Sequence, residues 1–380
     1  MQQDKIQNII KYLSSPALLH YTLPVVMFYV VAGTIAQKYI GLYEATHIFF
    51  SAAIIWAGPV PLPGLPIFIS IMVINLLFKL AFKSPWRASN AGIIIVHIGV
   101  LLLMAGGLLT AMFSQEGYID LAKGERKAEI SDYHIRDMVI LNDEKGILYS
   151  FDHQSIAKGD IIAIPDSPIK LHIIENCRNC EITRRTDATD EYFGMAQHMV
   201  LSPAPLRQND EENLTGIVFS VSGSENDGIY LAIENVPRHP EIMANGQTYR
   251  IAIRKRRTAL PFQIELLEFS RDMHPGTAMA QSYQSRVRIH DDGAQWEALI
   301  SMNEPLRYKG YTFFQSSFIE TDNGDVSVLT SVWNIGRSFP YISGITVCIG
   351  MILHIFIRRR RPSAKTEPRN NAESTGAADA

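Results

Sequence analysis

The sequence predicts an α-helical membrane protein that has four transmembrane helices and a large extracytoplasmic all-β domain inserted between the third and fourth helices. Three observations predict this fold class: long apolar runs near both ends, a polar middle segment, and lysine and arginine clusters on one side of the runs. The 380 residues are 47% hydrophobic and 19% charged, with a formal net charge of −3. This composition excludes a disordered polyelectrolyte and a basic nucleic-acid-binding protein.

Four apolar runs are long enough to cross the hydrocarbon core of a bilayer, which takes about 20 helical residues. They are residues 18–36, 64–82, 91–113 and 339–357. The first run lacks the small-residue cleavage site of a signal peptide, and further runs follow it, so we expect it to stay in the protein. The expected domains are a three-helix membrane domain over residues 18–113, a β-rich domain over 114–338 and a fourth helix over 339–357.

The positions of lysine and arginine orient these helices, because basic residues favour the cytoplasmic side. The basic clusters beside the runs are Lys5 with Lys11, Lys79 with Lys83 and Arg87, and the four arginines at 358–361. The loop at residues 42–63 has no lysine or arginine, and Lys38 alone lies at the opposite end of the first run. We therefore predict an inner-membrane protein with both termini in the cytoplasm and the β-rich domain in the periplasm.

The two ends of the chain have different patterns. Within residues 1–17, Ile6, Ile9, Ile10 and Leu13 recur with helical spacing, which predicts an amphipathic helix on the cytoplasmic membrane surface. Residues 358–380 begin with the arginine run and continue without an apolar period. They predict a basic and then disordered cytoplasmic tail.

The middle segment alternates apolar and polar residues, as β-strands with one buried face do. The clearest examples are residues 286–290 (RVRIH), 296–302 (WEALISM) and 326–333 (VSVLTSVW). We expect a sandwich or barrel-like domain, and its size suggests two sub-units. It contains no GxSxG, HExxH or glycine-rich nucleotide loop, so no catalytic residue is assigned.

His97 and His354 lie inside apolar runs, where an ionisable residue is a functional hypothesis by default. His97 is about 9 Å from the start of the third run, and His354 precedes the arginine run by about 5 Å. The two imidazoles therefore reach a similar depth, and both can in principle bind one haem iron. The alternative is that each histidine only forms a hydrogen bond between helices.

Gly92, Gly99 and Gly106 recur every seven residues on the side of the third run nearly opposite His97. Such glycines let another helix approach closely. In the fourth run, Ser343, Thr346 and Gly350 form a stripe of small residues in line with His354, and we interpret it as an internal packing face.

Cys177 and Cys180 form a CxxC pair in the β-rich domain, in a chain with three cysteines. Such a pair can be redox-active, bind metal or form a local disulfide. No βαβ pattern surrounds it, which argues against a thioredoxin-like site, and two thiolates are only half of a usual zinc ligand set. A structural pair is favoured, and the redox pair stays open.

Six segments of the chain have distinctive local sequence patterns. They are residues 92–107 (GIIIVHIGVLLLMAGG), 115–125, 260–262 (LPF), 274–277 (HPGT), 302–306 (MNEPL) and 308–318 (YKGYTFFQSSF). With three spans before a large β-rich domain and one after it, the chain resembles the ResB family of cytochrome c biogenesis proteins over roughly residues 10–358.

The resemblance implies a membrane complex that carries haem outward and supports its covalent attachment to apocytochrome c. The expected partners are haem, apocytochrome c, the lipid bilayer and a ResC-type haem-handling membrane protein. The four scattered tryptophans of this chain do not make the tryptophan-rich segment of ResC, so the chain resembles the ResB half alone. The resemblance to ResB implies that the chain is a non-catalytic or co-catalytic subunit of a cytochrome c haem lyase complex.

By the same resemblance, His97 matches the family's intramembrane histidine and is expected to be an axial ligand of a transient, non-covalent haem b. His354 is added because of its depth and not because of the resemblance. Two other functions stay open: a membrane-anchored extracytoplasmic sensor or binding protein, and a thiol-redox protein that uses Cys177 and Cys180. A haem absorption band is expected only if the chain is a subunit of the haem-handling complex.

Overall fold

The computed structural model describes residues 2–359 except residues 145, 188, 277–279 and 323. The predicted basic and then disordered tail from residue 360 onward and residue 277 of the 274–277 segment lie outside this part of the chain.

Four of the helices are long and apolar enough to cross a membrane: Pro16–Ile40, Leu65–Lys83, Ala88–Phe113 and Phe339–Arg359. In the described chain, the α-helices are α1 (Gln2–Leu13), α2 (Pro16–Ile40), α3 (Leu42–Ala45), α4 (Leu65–Phe78), α5 (Ala91–Phe113) and α6 (Phe339–Arg359). A π-helical segment (Lys79–Lys83) extends α4. The expected four apolar helices are thus confirmed, whereas the side of the membrane on which each end lies stays a prediction.

Helix α2 extends beyond the first apolar run at both ends, since it begins at Pro16 and continues through Lys38 to Ile40. It ends at Gly41, whose φ of 83° lies in the left-handed region that glycine adopts without strain. The loop that follows is ordered. It contains α3, a π-helical turn (Thr46–Ser51) and a hairpin of β1 (Ile54–Ala57) and β2 (Val60–Pro63).

The segment between α5 and α6 is built from β-strands and short 3-10 turns, and the expected all-β region is confirmed for the described residues. Its first strands are β3 (Gln115–Leu121), β4 (Arg126–Asn142), β5 (Gly146–Asp152), β6 (Ile161–Ala163), β7 (Lys170–Cys177), β8 (Cys180–Arg184), β9 (Met199–Pro203) and β10 (Gly216–Ser222). The remaining strands are β11 (Gly228–Ile233), β12 (Glu241–Ala244), β13 (Gln247–Met273), β14 (Ala280–Asp291), β15 (Ala294–Ser301), β16 (Leu306–Tyr308), β17 (Tyr311–Thr321) and β18 (Gly324–Trp333). We call this segment the β domain.

The β domain consists of antiparallel sheets. Within the described residues, the largest sheet has ten strands in the order β15-β14-β13-β4-β3-β18-β17-β16, with β12 on β13 and β5 on β4. A four-stranded sheet has the order β11-β10-β7-β6, and β8 and β9 form a separate hairpin. Hairpin-linked neighbours dominate this topology, as is usual for antiparallel sheets.

Two long strands run through two separate hydrophobic cores. In the first core, Ile140 of β4 and Ile251 of β13 pack with Phe219 of the four-stranded sheet. In the second core, Ile130 of β4 and Ile264 of β13 pack with residues of β3, β14, β15, β17 and β18. The β domain therefore has two lobes that share β4 and β13.

The pairing of β13 with β4 is interrupted where the two lobes meet. The register shifts between Ala259 and Ile264, and Pro261 lies in that interval. Proline has no N–H to donate to a neighbouring strand, so it fits where ladder pairing is interrupted. The LPF segment at residues 260–262 thus marks the joint between the lobes.

The chain divides into two compact units. One contains the described residues of Met1–Thr22, Ser70–Leu108 and Gly336–Ala380, and the other contains Leu23–Ile69 and Leu109–Ile335. We describe the contacts of each unit by itself.

In the first unit, α5 and α6 are in contact through the predicted glycine positions. A Cβ atom at Gly92 would lie 2.5 Å from the backbone nitrogen of His354, and one at Gly99 would lie 2.7 Å from Val347. Ser343 and Gly350 are buried on the facing side of α6. Close approach is therefore possible only because these positions lack larger side chains.

This packing predicts a strong difference between two glycines of α5. Gly92→Ala should destabilise the protein by about 2 kcal/mol, because the added methyl group overlaps the α6 backbone. Gly107→Ala is the matched control, since nothing lies within 4 Å of its added Cβ atom. Thermal unfolding in detergent measures both, and equal melting temperatures for the two variants would contradict the packing.

Candidate functional site

His97 presents one nitrogen of its ring to its own helix and leaves the other available. Its Nδ1 lies 2.7 Å from the carbonyl oxygen of Ile93, which can only accept a hydrogen bond. Nδ1 therefore carries the proton donated in this contact, and Nε2 is the ring nitrogen that takes no part in it. When a histidine binds a metal through one ring nitrogen, a hydrogen bond from the other ring nitrogen fixes the tautomer and the ring orientation.

His354 lines a cavity of about 380 Å³ beside the contact of α5 and α6. Its other walls are apolar side chains: Ile93, Val96, Met351 and Ile355. An imidazole that opens into an apolar space suits a haem iron, which takes histidine as an axial ligand.

The structure does not place the two predicted histidines in one cavity. Ile93 forms a wall of the cavity, and His97 follows it by one helical turn. Among the described residues that line the cavity, His354 is the one with an imidazole. The idea that both rings bind one iron stays a prediction.

A third histidine, His20 of α2, has the same local geometry as His97. Its Nδ1 lies 2.8 Å from the carbonyl oxygen of Pro16, and the residue is exposed. The signal was present in the sequence, since His20 also lies within an apolar run. His20, His97 and His354 are each within about 10 Å of the helix end that the charge pattern places at the cytoplasmic side.

Cys177 and Cys180 form a disulfide whose Cα atoms are 5.5 Å apart. Both side chains are buried, and they pack with Leu201 and Ile233 in a small third core. No group of three or more potential metal ligands of the histidine, cysteine or acidic type occurs in the described chain. The pair therefore has the surroundings of a structural disulfide, and its redox role stays untested.

The β domain also contains a cavity of about 790 Å³ that the sequence did not indicate. The side chains of Arg238, His239, His198 and Arg250 line it together with the stacked rings of Phe193 and Tyr230. Burial and the charge of Arg250 both lower the pKa of His239, so its ring is neutral at neutral pH. Glu241 also lines the cavity and pairs with Arg250 at 2.9 Å, so the charge of Arg250 is balanced there.

Comparison with known proteins locates a related segment in the second half of the β domain. A sequence model of the ResB-like family matches residues 241–334, which run from β12 to the end of β18. Protein NrfI of Wolinella succinogenes is 30% identical over 98 residues, which are 25% of this chain and 11% of that protein. The alignment thus spans about a tenth of the relative's length.

The matched segment contains most of the second lobe, including the LPF joint and the segments at 302–306 and 308–318. These are among the patterns on which the sequence resemblance was based. Residues 241–334 are ResB-like, and the resemblance of this chain to the ResB-like family is confirmed.

Proposed function

We propose that this chain is the ResB-type subunit of a membrane complex that carries haem across the membrane and supports its attachment to apocytochrome c. The observation that carries the proposal is the ResB-like segment in a chain that also has four apolar helices. The whole relative is much longer than the aligned part, so its activity is not transferred to this chain.

The intramembrane histidines supply the chemistry in this proposal. His97 holds its Nε2 lone pair away from its own helix, ready for the iron of a haem b, and His354 opens into an apolar cavity. Haem here is the cargo, and the protein binds and orients it. The cavity is open on one side, and helices of a ResC-type partner are the proposed cover.

The β domain would act on the outer side of the membrane. Covalent attachment joins the haem vinyl groups to the thiols of apocytochrome c, and this chain would position the two reactants without acid–base catalysis. Strand β15 lies at one end of the ten-stranded sheet. Such an edge can bind an extended peptide by strand addition, which is the proposed mode for apocytochrome c.

A second candidate function is a membrane-anchored binding protein, and the cavity of about 790 Å³ favours it. Its volume is within the usual range of small-molecule sites, and Arg238 with the stacked rings of Phe193 and Tyr230 suits a ligand that has an anionic group and a planar group. In that case His97→Ala would leave function intact, whereas Arg238→Ala and His239→Ala would abolish it.

The proposed topology predicts which positions a membrane-impermeant maleimide can reach in spheroplasts. In a Cys348→Ser background, Asp187→Cys should be labelled in intact spheroplasts, because residue 187 is exposed in the β domain. Ala88→Cys, exposed between α4 and α5, should be labelled only after the membrane is disrupted. The reverse pattern would contradict the proposed function, since apocytochrome c receives haem outside.

The haem-ligand proposal predicts a specific loss in His97→Ala. The complex purified with its ResC-type partner should contain about tenfold less haem, as measured by the Soret band, while insertion and expression remain normal. Added imidazole should restore part of the haem, because it can occupy the space of the lost ring. His354→Ala should lose as much haem if it is the second ligand, and less if it only packs.

His20→Ala is the matched control for an exposed intramembrane histidine with the same hydrogen-bond geometry. The proposal assigns no ligand role to His20 and expects little haem loss there. Wild-type haem content and cytochrome c maturation in His97→Ala would reject His97 as the ligand.

A further inference from the structure

The loop after α2 packs tightly against the β domain within the second unit. A Cβ atom at Gly41 would lie 1.8 Å from the carbonyl oxygen of Gln208. The side-chain amide of Gln208 donates a hydrogen bond to the carbonyl oxygen of Lys38, 3.2 Å away, near the end of α2. Ala45 is fully buried at the other end of α3. These contacts leave little space between the loop and the β domain.

Two side chains of α3 make polar and aromatic contacts with the β domain. The ring of Tyr43 stacks on the ring of His134, with centroids 4.1 Å apart. The carboxylate of Glu44 accepts a hydrogen bond of 2.5 Å from Nη2 of Arg178. Arg178 is one of the two residues between Cys177 and Cys180.

Arg178 connects this loop to a buried set of charges. Its Nη2 is also 3.3 Å from Asp210, which in turn binds Arg136 and His134 at 3.0 Å each. Arg136 pairs with Glu234, and these three partners, Asp210, Arg136 and Glu234, have side chains that are at most 6% exposed. A charge so far from water needs its partners in place, because an unpaired one carries a large desolvation cost.

The charged state of Asp210 is strongly favoured in this set. Burial alone would raise its pKa, but the hydrogen bond from His134 and the charge of Arg136 outweigh burial and lower the pKa to about 2. Asp210 is therefore a carboxylate across the physiological range and attracts Arg178 throughout it.

The disulfide fixes the short turn that presents Arg178. The turn is also held from both sides by its neighbours: Thr215 donates to the carbonyl oxygen of Arg178 at 3.0 Å, and the side chain of Asn179 donates to Pro205 and accepts from Leu214. With Cys177 and Cys180 buried beneath it, the guanidinium stays directed at Glu44 and Asp210.

We propose that Arg178 is a positioning residue that fastens the loop of residues 41–45 to the β domain, and that the Cys177–Cys180 disulfide serves to hold Arg178 in place. In this proposal the disulfide has a structural role, and that role does not require thiol–disulfide exchange with a partner protein. This inference does not depend on haem binding, since none of its residues touches the intramembrane histidines.

Hydrogen–deuterium exchange of the full chain in detergent tests the inference. In Arg178→Gln and in Glu44→Gln, amides of residues 41–45 should exchange about tenfold faster, while amides of β7 and β10 keep their wild-type rates. The double variant should equal Arg178→Gln, because Glu44→Gln removes a contact that Arg178→Gln has already removed. Arg207→Gln is the matched control, since Arg207 pairs with Glu212 at 3.7 Å and both are largely exposed.

The disulfide is tested in the same experiment with the double variant Cys177→Ser and Cys180→Ser. Faster exchange at residues 41–45, with no further increase on adding Arg178→Gln, supports the proposed purpose. Unchanged exchange in Glu44→Gln would overturn the inference, and this variant leaves the β domain sequence intact. Unchanged exchange in the cysteine variant, with maturation lost and restored by added thiol reductant, would instead assign the pair a redox role.

Discussion

The structure depends above all on the requirement that polar groups without water find partners within the protein. In the apolar helices several side chains meet this requirement within their own helix, whereas the buried Asn75 of α4 donates to the carbonyl oxygens of Leu13 and Ser15. His97 and His20 each bond through Nδ1 to the carbonyl oxygen four residues earlier, and this bond determines which ring nitrogen carries the donated proton. In the β domain, the same requirement gathers Arg136, Asp210 and Glu234 into one buried set.

Close contact between helices is the second element of the architecture. Glycines of α5 bring its backbone against α6, and this contact creates the flank where His354 opens into an apolar cavity. Lipid offers little hydrophobic drive for helices to associate, so small residues and van der Waals contact must supply it. The helix contact and the candidate haem ligands are thus parts of one arrangement.

Much of the fold could be predicted because it rests on local patterns. Apolar runs of sufficient length gave the four helices, the seven-residue glycine spacing gave the α5 contact, and alternation gave the strands. The two lobes were foreseen only from size. That β4 and β13 run through both cores depends on pairing between distant segments, which alternation alone does not reveal.

The site was predictable to a smaller extent, for two reasons. His97 and His354 were visible as polar residues in apolar runs, but their positions relative to one cavity depend on how two helices rotate about each other. Glu44 and Arg178 are 134 residues apart in sequence, so their contact exists only through the tertiary fold. The CxxC pattern indicated that Cys177 and Cys180 can form a local disulfide. It could not show that Arg178 between them contacts Glu44.

The most direct test of the proposed haem site is a cryo-electron microscopy structure of this chain with the proposed ResC-type partner and bound haem. We predict haem density beside α5, with the iron at coordination distance from Nε2 of His97 and Nδ1 still bonded to Ile93. Haem bound elsewhere in the complex, with the His97 ring facing lipid or only packing against a partner helix, would contradict it.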